Sequence, residues 1–142
     1  SSSGAVGDGT RVYRSSPVQV GALTDWAQVA AGRYHSLAVK TDGTLWTWGS
    51  NFYGELGSNA ITRRSSPAQV GLLTDWAQVA ASNYYSLAIK TDGTLWSWGY
   101  NSNGRLGSNS TASRSSPAQV GSLKDWAQVT AGRLQSMARK VP

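Results

Sequence analysis

Two short stretches of the chain place apolar residues at every second position. In residues 34–40 Leu37 and Val39 fall on one side and Ser36 and Ala38 on the other, and in residues 44–49 Trp46 and Trp48 fall together. Both predict strands. Thr41-Asp42-Gly43 lies between them, and Asp-Gly between alternating runs predicts a hairpin, because both residues tolerate positive φ. The two strands are therefore expected to be antiparallel neighbours. Upstream, residues 26–31 are small and apolar and meet the next strand through Gly32-Arg33, a second tight turn. A fourth short strand is predicted from Pro17 to Val20 and, further on, at residues 67–70. Proline within a sheet belongs at an edge, so this strand is expected outermost.

The pattern returns with a period of 50. Ser15-Ser16-Pro17 recurs as Ser65-Ser66-Pro67 and Ser115-Ser116-Pro117, and Asp25-Trp26 recurs as Asp75-Trp76 and Asp125-Trp126. Aligning residues 15–64 with 65–114 gives 35 identities in 50 positions, without a gap. The chain thus divides into a tail of a preceding repeat (1–14), repeat one (15–64), repeat two (65–114) and a truncated repeat three (115–142).

Each unit is expected to form a four-stranded antiparallel sheet with residues 26–31 innermost and 67–70 outermost, a propeller blade. The link from Val70 to Trp76 must then cross about three strand spacings, roughly 14 Å. Six residue steps at about 3.3 Å each suffice. Small inner-strand residues suit strands crowded about an axis; a solenoid of the same sheets is the competing arrangement. The fold class expected is all-β, with about three blades and an incomplete ring unless it is joined to more chain or to another copy. An open arc would bare an apolar blade face, which soluble monomers seldom tolerate.

The 142 residues include no Cys, which removes disulfides, thiolate metal sites and thiol nucleophiles together. Seven Trp, with only 14% charged residues, argue for a packed chain over a disordered one. No run approaches the roughly 18 apolar residues of a membrane helix, and Ser1 to Thr10 shows no signal-peptide pattern. Catalytic chemistry has little to stand on. The one His, His35, neighbours Ser36 on a strand, where adjacent side chains point to opposite faces. It reads as structural. Asp42 and Asp92 sit in hairpins, and Asp25, Asp75 and Asp125 precede inner strands, where backbone capping is expected. Trp46, Trp48, Trp96 and Trp98 recur at fixed strand positions and read as packing between blades. No metal, phosphate or dinucleotide motif occurs, so no cofactor is expected. Asn109-Ser110-Thr111 fits a glycosylation acceptor.

The run Gly43-Thr44-Leu45-Trp46-Thr47-Trp48-Gly49-Ser50-Asn51-Phe52-Tyr53-Gly54-Glu55-Leu56-Gly57, preceded by Val29-Ala30-Ala31-Gly32-Arg33-Tyr34-His35-Ser36-Leu37-Ala38, resembles the repeat of the regulator of chromosome condensation family. The second repeat reproduces most of it. His35 becomes Tyr85 and Gln135, Gly32 becomes Ser82, and the third copy drifts at Leu134, Met137 and Arg139. The resemblance implies a β-propeller, usually of seven blades and closed by strands from both ends. It also implies nucleotide exchange on a small GTPase with chromatin contact, although the uniform repeats carry no inserted wedge.

The strand order sorts the charge. On the face that carries the turn at 32–34 and the loop 50–64 fall Arg11, Arg14, Arg33, Arg63, Arg64, Arg105, Arg114 and Arg133 against Asp8 and Glu55; the other face is balanced. Eleven of the fifteen mismatches between the full repeats also belong to this end. The candidate binding residues are Arg33, Tyr34, Phe52, Tyr53, Arg63, Arg64, Asn83, Tyr84, Tyr100, Arg105, Arg114 and Arg133. Arg and Tyr on variable loops over a rigid scaffold suit recognition of an acidic protein, a glycan or another anionic surface. A structural array on a viral tail, capsid or cell surface is the alternative, and with it an extracellular or virion setting. Nucleic acid is less favoured, since no nucleic-acid motif accompanies the arginines.

Overall fold

A computed structural model describes residues 3–133 and 135–140; Leu134 and both chain ends lie outside the described residues. Ten strands form three antiparallel sheets, and no helix is present among the described residues. The first blade runs β1 (Trp26–Ala31), β2 (His35–Lys40), β3 (Leu45–Gly49), β4 (Arg64–Gln69), in that spatial order. The second repeats it as β5 (Trp76–Ala81), β6 (Tyr85–Lys90), β7 (Leu95–Gly99), β8 (Arg114–Gln119). Among the described residues the third holds β9 (Trp126–Ala131) and β10 (Ser136–Lys140). This is an incomplete propeller ring.

Three local expectations need correction. The outer strand spans 64–69 instead of 67–70. Its register pairs Thr47 with Ala68 and Gly49 with Arg64, so residues 65–67 stand against the single Trp48, and Pro67 falls in this break of the ladder, where an amide donor is least needed. Residues 17–20 form no strand, because the chain places no third strand beside them. In the hairpin only Gly43 has positive φ, at 79°. Gly43 N donates to Lys40 O at 2.9 Å and Lys40 N to Thr44 O at 3.0 Å, a three-residue loop with glycine in its left-handed position. Asp42 serves differently: its Oδ1 accepts from the Thr44 amide at 2.9 Å and from the Thr44 hydroxyl at 2.7 Å.

The core lies between blades. Leu37, Val39 and Leu45 of the first blade share one cluster with Trp76, Val79, Ala88 and Trp98 of the second. Inner strands approach closely enough for glutamines to bridge them, Gln28 Oε1 accepting from Val79 N at 2.9 Å and Gln78 Nε2 donating to Ala127 O at 2.7 Å. Asp25 does not cap backbone through its carboxylate; it stands 3.4 Å from Lys40 Nζ, and Asp75 and Asp125 pair with Lys90 and Lys140 at 3.2 Å. Lys40 lies 4.4 Å and 5.2 Å from the ring centroids of Trp46 and Trp26. Lys40, Lys90 and Lys140 of the balanced face are thus held in cation–π and ion-pair contacts.

The arc ends are bare. Val29 on the first blade is 69% exposed, whereas its equivalent Val79 is 4% exposed beneath a neighbour. At the other end Met137 is 59% exposed, whereas Leu87 is 2%.

Candidate binding face

The long loop after each third strand is held from within. Asn51 is buried; its Oδ1 accepts from Leu56 N at 2.9 Å, and its Nδ2 donates to Ala60 O at 2.8 Å and Thr62 O at 3.1 Å. Asn101 repeats this with Leu106, Ser110 and Ala112. Each loop also reaches over the next blade. The carbonyl of Glu55 accepts from Trp98 Nε1 at 2.8 Å and Ser86 Oγ at 2.7 Å, and Ala5 O accepts likewise from Trp48 and Ser36. The tail therefore lies across the first blade as the loop 50–63 lies across the second.

That brace fixes His35. Its Nε2 lies 2.9 Å from Ser86 Oγ, and because the Ser86 hydroxyl gives its proton to Glu55 O, His35 must donate through Nε2. Its Nδ1 is buried without a partner, and burial lowers the pKa from 6.5 to about 4. At the next joint the Tyr85 hydroxyl takes this place, 2.8 Å from Gly132 O and 2.5 Å from Gln135 O. The His35–Ser86 contact is a blade joint closed to solvent.

Above the braces the tyrosines form a ladder. Arg33 stacks on Tyr34 at 4.9 Å; Tyr34 meets Tyr84 at 5.7 Å; Tyr84 meets Tyr53 at 5.3 Å; Tyr53 meets Tyr100 at 4.5 Å; Arg105 stacks on Tyr100 at 5.0 Å. A cationic side chain closes each end. Tyr34 and Tyr84 are equivalent, but the rest of the ladder is built where the repeats differ: repeat one has Ser50, Tyr53 and Glu55, and repeat two has Tyr100, Asn103 and Arg105 in their places. Tyr53 of one loop and Tyr100 of the next thus come together although they are not equivalent positions.

Beside the ladder a cleft of about 350 Å³ is lined by Ser3, Tyr34, Ser50, Phe52, Tyr53, Arg63 and Tyr84. The face therefore unites eight of the twelve candidates. Arg64 and Arg114 do not join them. They open the outer strands β4 and β8, and Arg64 lines a separate groove of about 520 Å³ between the outer parts of the two blades, with Leu73, Trp96 and Pro117. Asn83 lies in the β5–β6 turn and Arg133 in the β9–β10 turn. The sequence alone does not single out Ser3 and Ser50, although Gly4 and Gly7 match Gly54 and Gly57 and mark the tail as a loop of this face.

Three charges counted on this face are spent locally. Glu55 is buried and turned inward, its Oε1 accepting from Ser50 Oγ and its Oε2 from Tyr53 N, both at 2.7 Å. Arg14 pairs with Asp8 at 2.7 Å. Hydrogen bonds from Thr10, followed by those from Arg14, hold the Asp8 carboxyl at about 2.

A model of the regulator of chromosome condensation (RCC1) repeat matches residues 1–39, 42–89 and 92–139, and a second model of the same repeat matches 26–55 and 76–105. The chain belongs to this repeat family. No curated protein sequence is a significant match. Among solved structures, human WBSCR16 superposes with a TM-score of 0.79 at 25% identity, over 96% of this chain and 38% of that one. Prp20p from Saccharomyces cerevisiae, described with its binding to Gsp1p and histones, gives 0.78 at 21% identity, over 99% and 38%. Yeast RCC1 (Prp20) bound to Kap60 gives 0.71 at 23% identity, over 85% and 32%. The chain thus spans well under half of each, and the two yeast likenesses establish the propeller fold alone.

Proposed function

We propose that the chain is part of a non-catalytic recognition propeller that holds an acidic protein surface on the ladder face. The observation that carries this reading is the ladder itself, four tyrosines bracketed by Arg33 and Arg105 and flanked by Arg63. Tyrosine offers large area with little conformational entropy to lose, and arginine pairs with carboxylates in bidentate geometry. Protein is favoured over glycan because Prp20p is described with protein partners, Gsp1p, histones and Kap60. The blades needed to cover the open ends come from more chain or from another copy.

The test is titration with short poly-L-glutamate. The triple variant Arg33→Glu, Arg63→Glu, Arg105→Glu should weaken binding at least about tenfold with the circular dichroism spectrum unchanged, and wild-type affinity should fall as salt is added. Unchanged affinity in the variant removes the reading. Guanine nucleotide exchange on a small GTPase is a second reading, supported by family membership and the likeness to Prp20p. Release of bound guanine nucleotide from a GTPase on adding the chain would favour it.

A further inference from the structure

The cleft beside the ladder has chemistry that charge recognition alone does not require. Its lining includes three tyrosines, Tyr34, Tyr53 and Tyr84, together with Phe52, and among the described residues Arg63 is its one cation. Phe52 is 69% exposed and Tyr53 41% exposed, so a solvent-facing aromatic surface adjoins a guanidinium. Tyr53 meets Tyr84 edge to face at 5.3 Å and Tyr34 meets Tyr84 tilted at 5.7 Å, both within the range of aromatic packing, and a further ring could extend that cluster. At about 350 Å³ the cleft suits one large side chain and is small for an oligosaccharide.

From these features we infer that the cleft seats a single aromatic side chain of the acidic segment, with an adjacent carboxylate of that segment on Arg63. This rests on the acidic-protein reading and sharpens it: the segment recognised carries an aromatic anchor among its acids. Single-stranded nucleic acid could also stack a base here, but it carries one phosphate per nucleotide, and the described lining offers one cation. Repeat two has Ser102 in the place of Phe52, so the loop accommodates serine there and Phe52→Ser is a conservative probe of the lining.

The experiment uses the 142-residue chain and three probes by fluorescence titration: acetyl-Glu-Glu-Phe-Glu-Glu-amide, the same peptide with Ala for Phe, and a short oligothymidylate. The Phe peptide is expected to bind about tenfold more tightly than the Ala peptide, the worth of one well-packed ring. In the Phe52→Ser variant, checked for fold by circular dichroism, the ratio should narrow toward one. Equal affinity of the two peptides for the wild-type chain would overturn the anchor while leaving the acidic reading standing. Binding of neither peptide would overturn both. Tighter binding of oligothymidylate than of the Phe peptide would replace the anchor with a nucleic-acid base.

Discussion

His35 shows how one buried side chain makes a blade joint sensitive to acid. Its folded pKa of about 4 lies below the ordinary 6.5, so protonation favours the unfolded chain. The stability it contributes is present above pH 6.5 and is lost as pH falls toward 4. Two and a half pKa units correspond to roughly 3 kcal/mol. Urea unfolding at pH 7 and pH 4 should show a drop of that order in the wild type and a smaller one in His35→Gln, the residue that repeat three uses at this position. Equal drops would refute the assignment. Glycines give a second residue-scale comparison. Gly54 and Gly104 are equivalent and both have positive φ, 81° and 70°. A Cβ on Gly54 would strike the Ser115 backbone, whereas one on Gly104 meets nothing. Gly104→Ala should cost about 1–2 kcal/mol for the left-handed backbone alone. Gly54→Ala should cost more, and equal losses in denaturation would show that the loop does not lie on the next blade.

Among the elements, the tryptophan strands hold the blades together. Trp98 is buried and donates to Glu55 O of the loop laid across it. Trp98→Ala should therefore cost about 3–5 kcal/mol in thermal or chemical unfolding; a loss below 1 kcal/mol would contradict that packing. Strand order and hairpins could be read from sequence because Asp42-Gly43, the alternation around Trp46 and the period of 50 are local signals. The limits of β4 could not, since Pro67 suggests a strand start but lies inside one, at a break in pairing that depends on where β3 stands. The contact between Tyr53 and Tyr100 was equally hidden. It arises from the turn between successive blades and has no short-range signature, although the mismatched positions pointed to the right loops.

For the whole molecule, the surplus of arginine at one end was legible once strand order was known, whereas the inward turn of Glu55 and the Arg14–Asp8 pair emerge only from packing. The bare ends have a consequence for assembly. Val29 belongs to the kind of face that Leu37 and Val39 cover at the next joint, and Met137 belongs to the covering kind. More chain or a second copy would cover them, and in the second case the two ends of separate copies would meet as complementary halves of one joint, a head-to-tail contact. Sedimentation at micromolar concentration should show species heavier than 15 kDa that diminish in Val29→Asp; a single 15 kDa species would contradict this. The recognition face itself is tested most directly by following the ring signals of selectively labelled tyrosines while an acidic peptide is added. Shifts at Tyr34, Tyr53, Tyr84 and Tyr100, with Tyr13 and the joint residue Tyr85 unmoved, are the predicted result. Saturable binding that leaves the four ladder rings undisturbed would contradict the account.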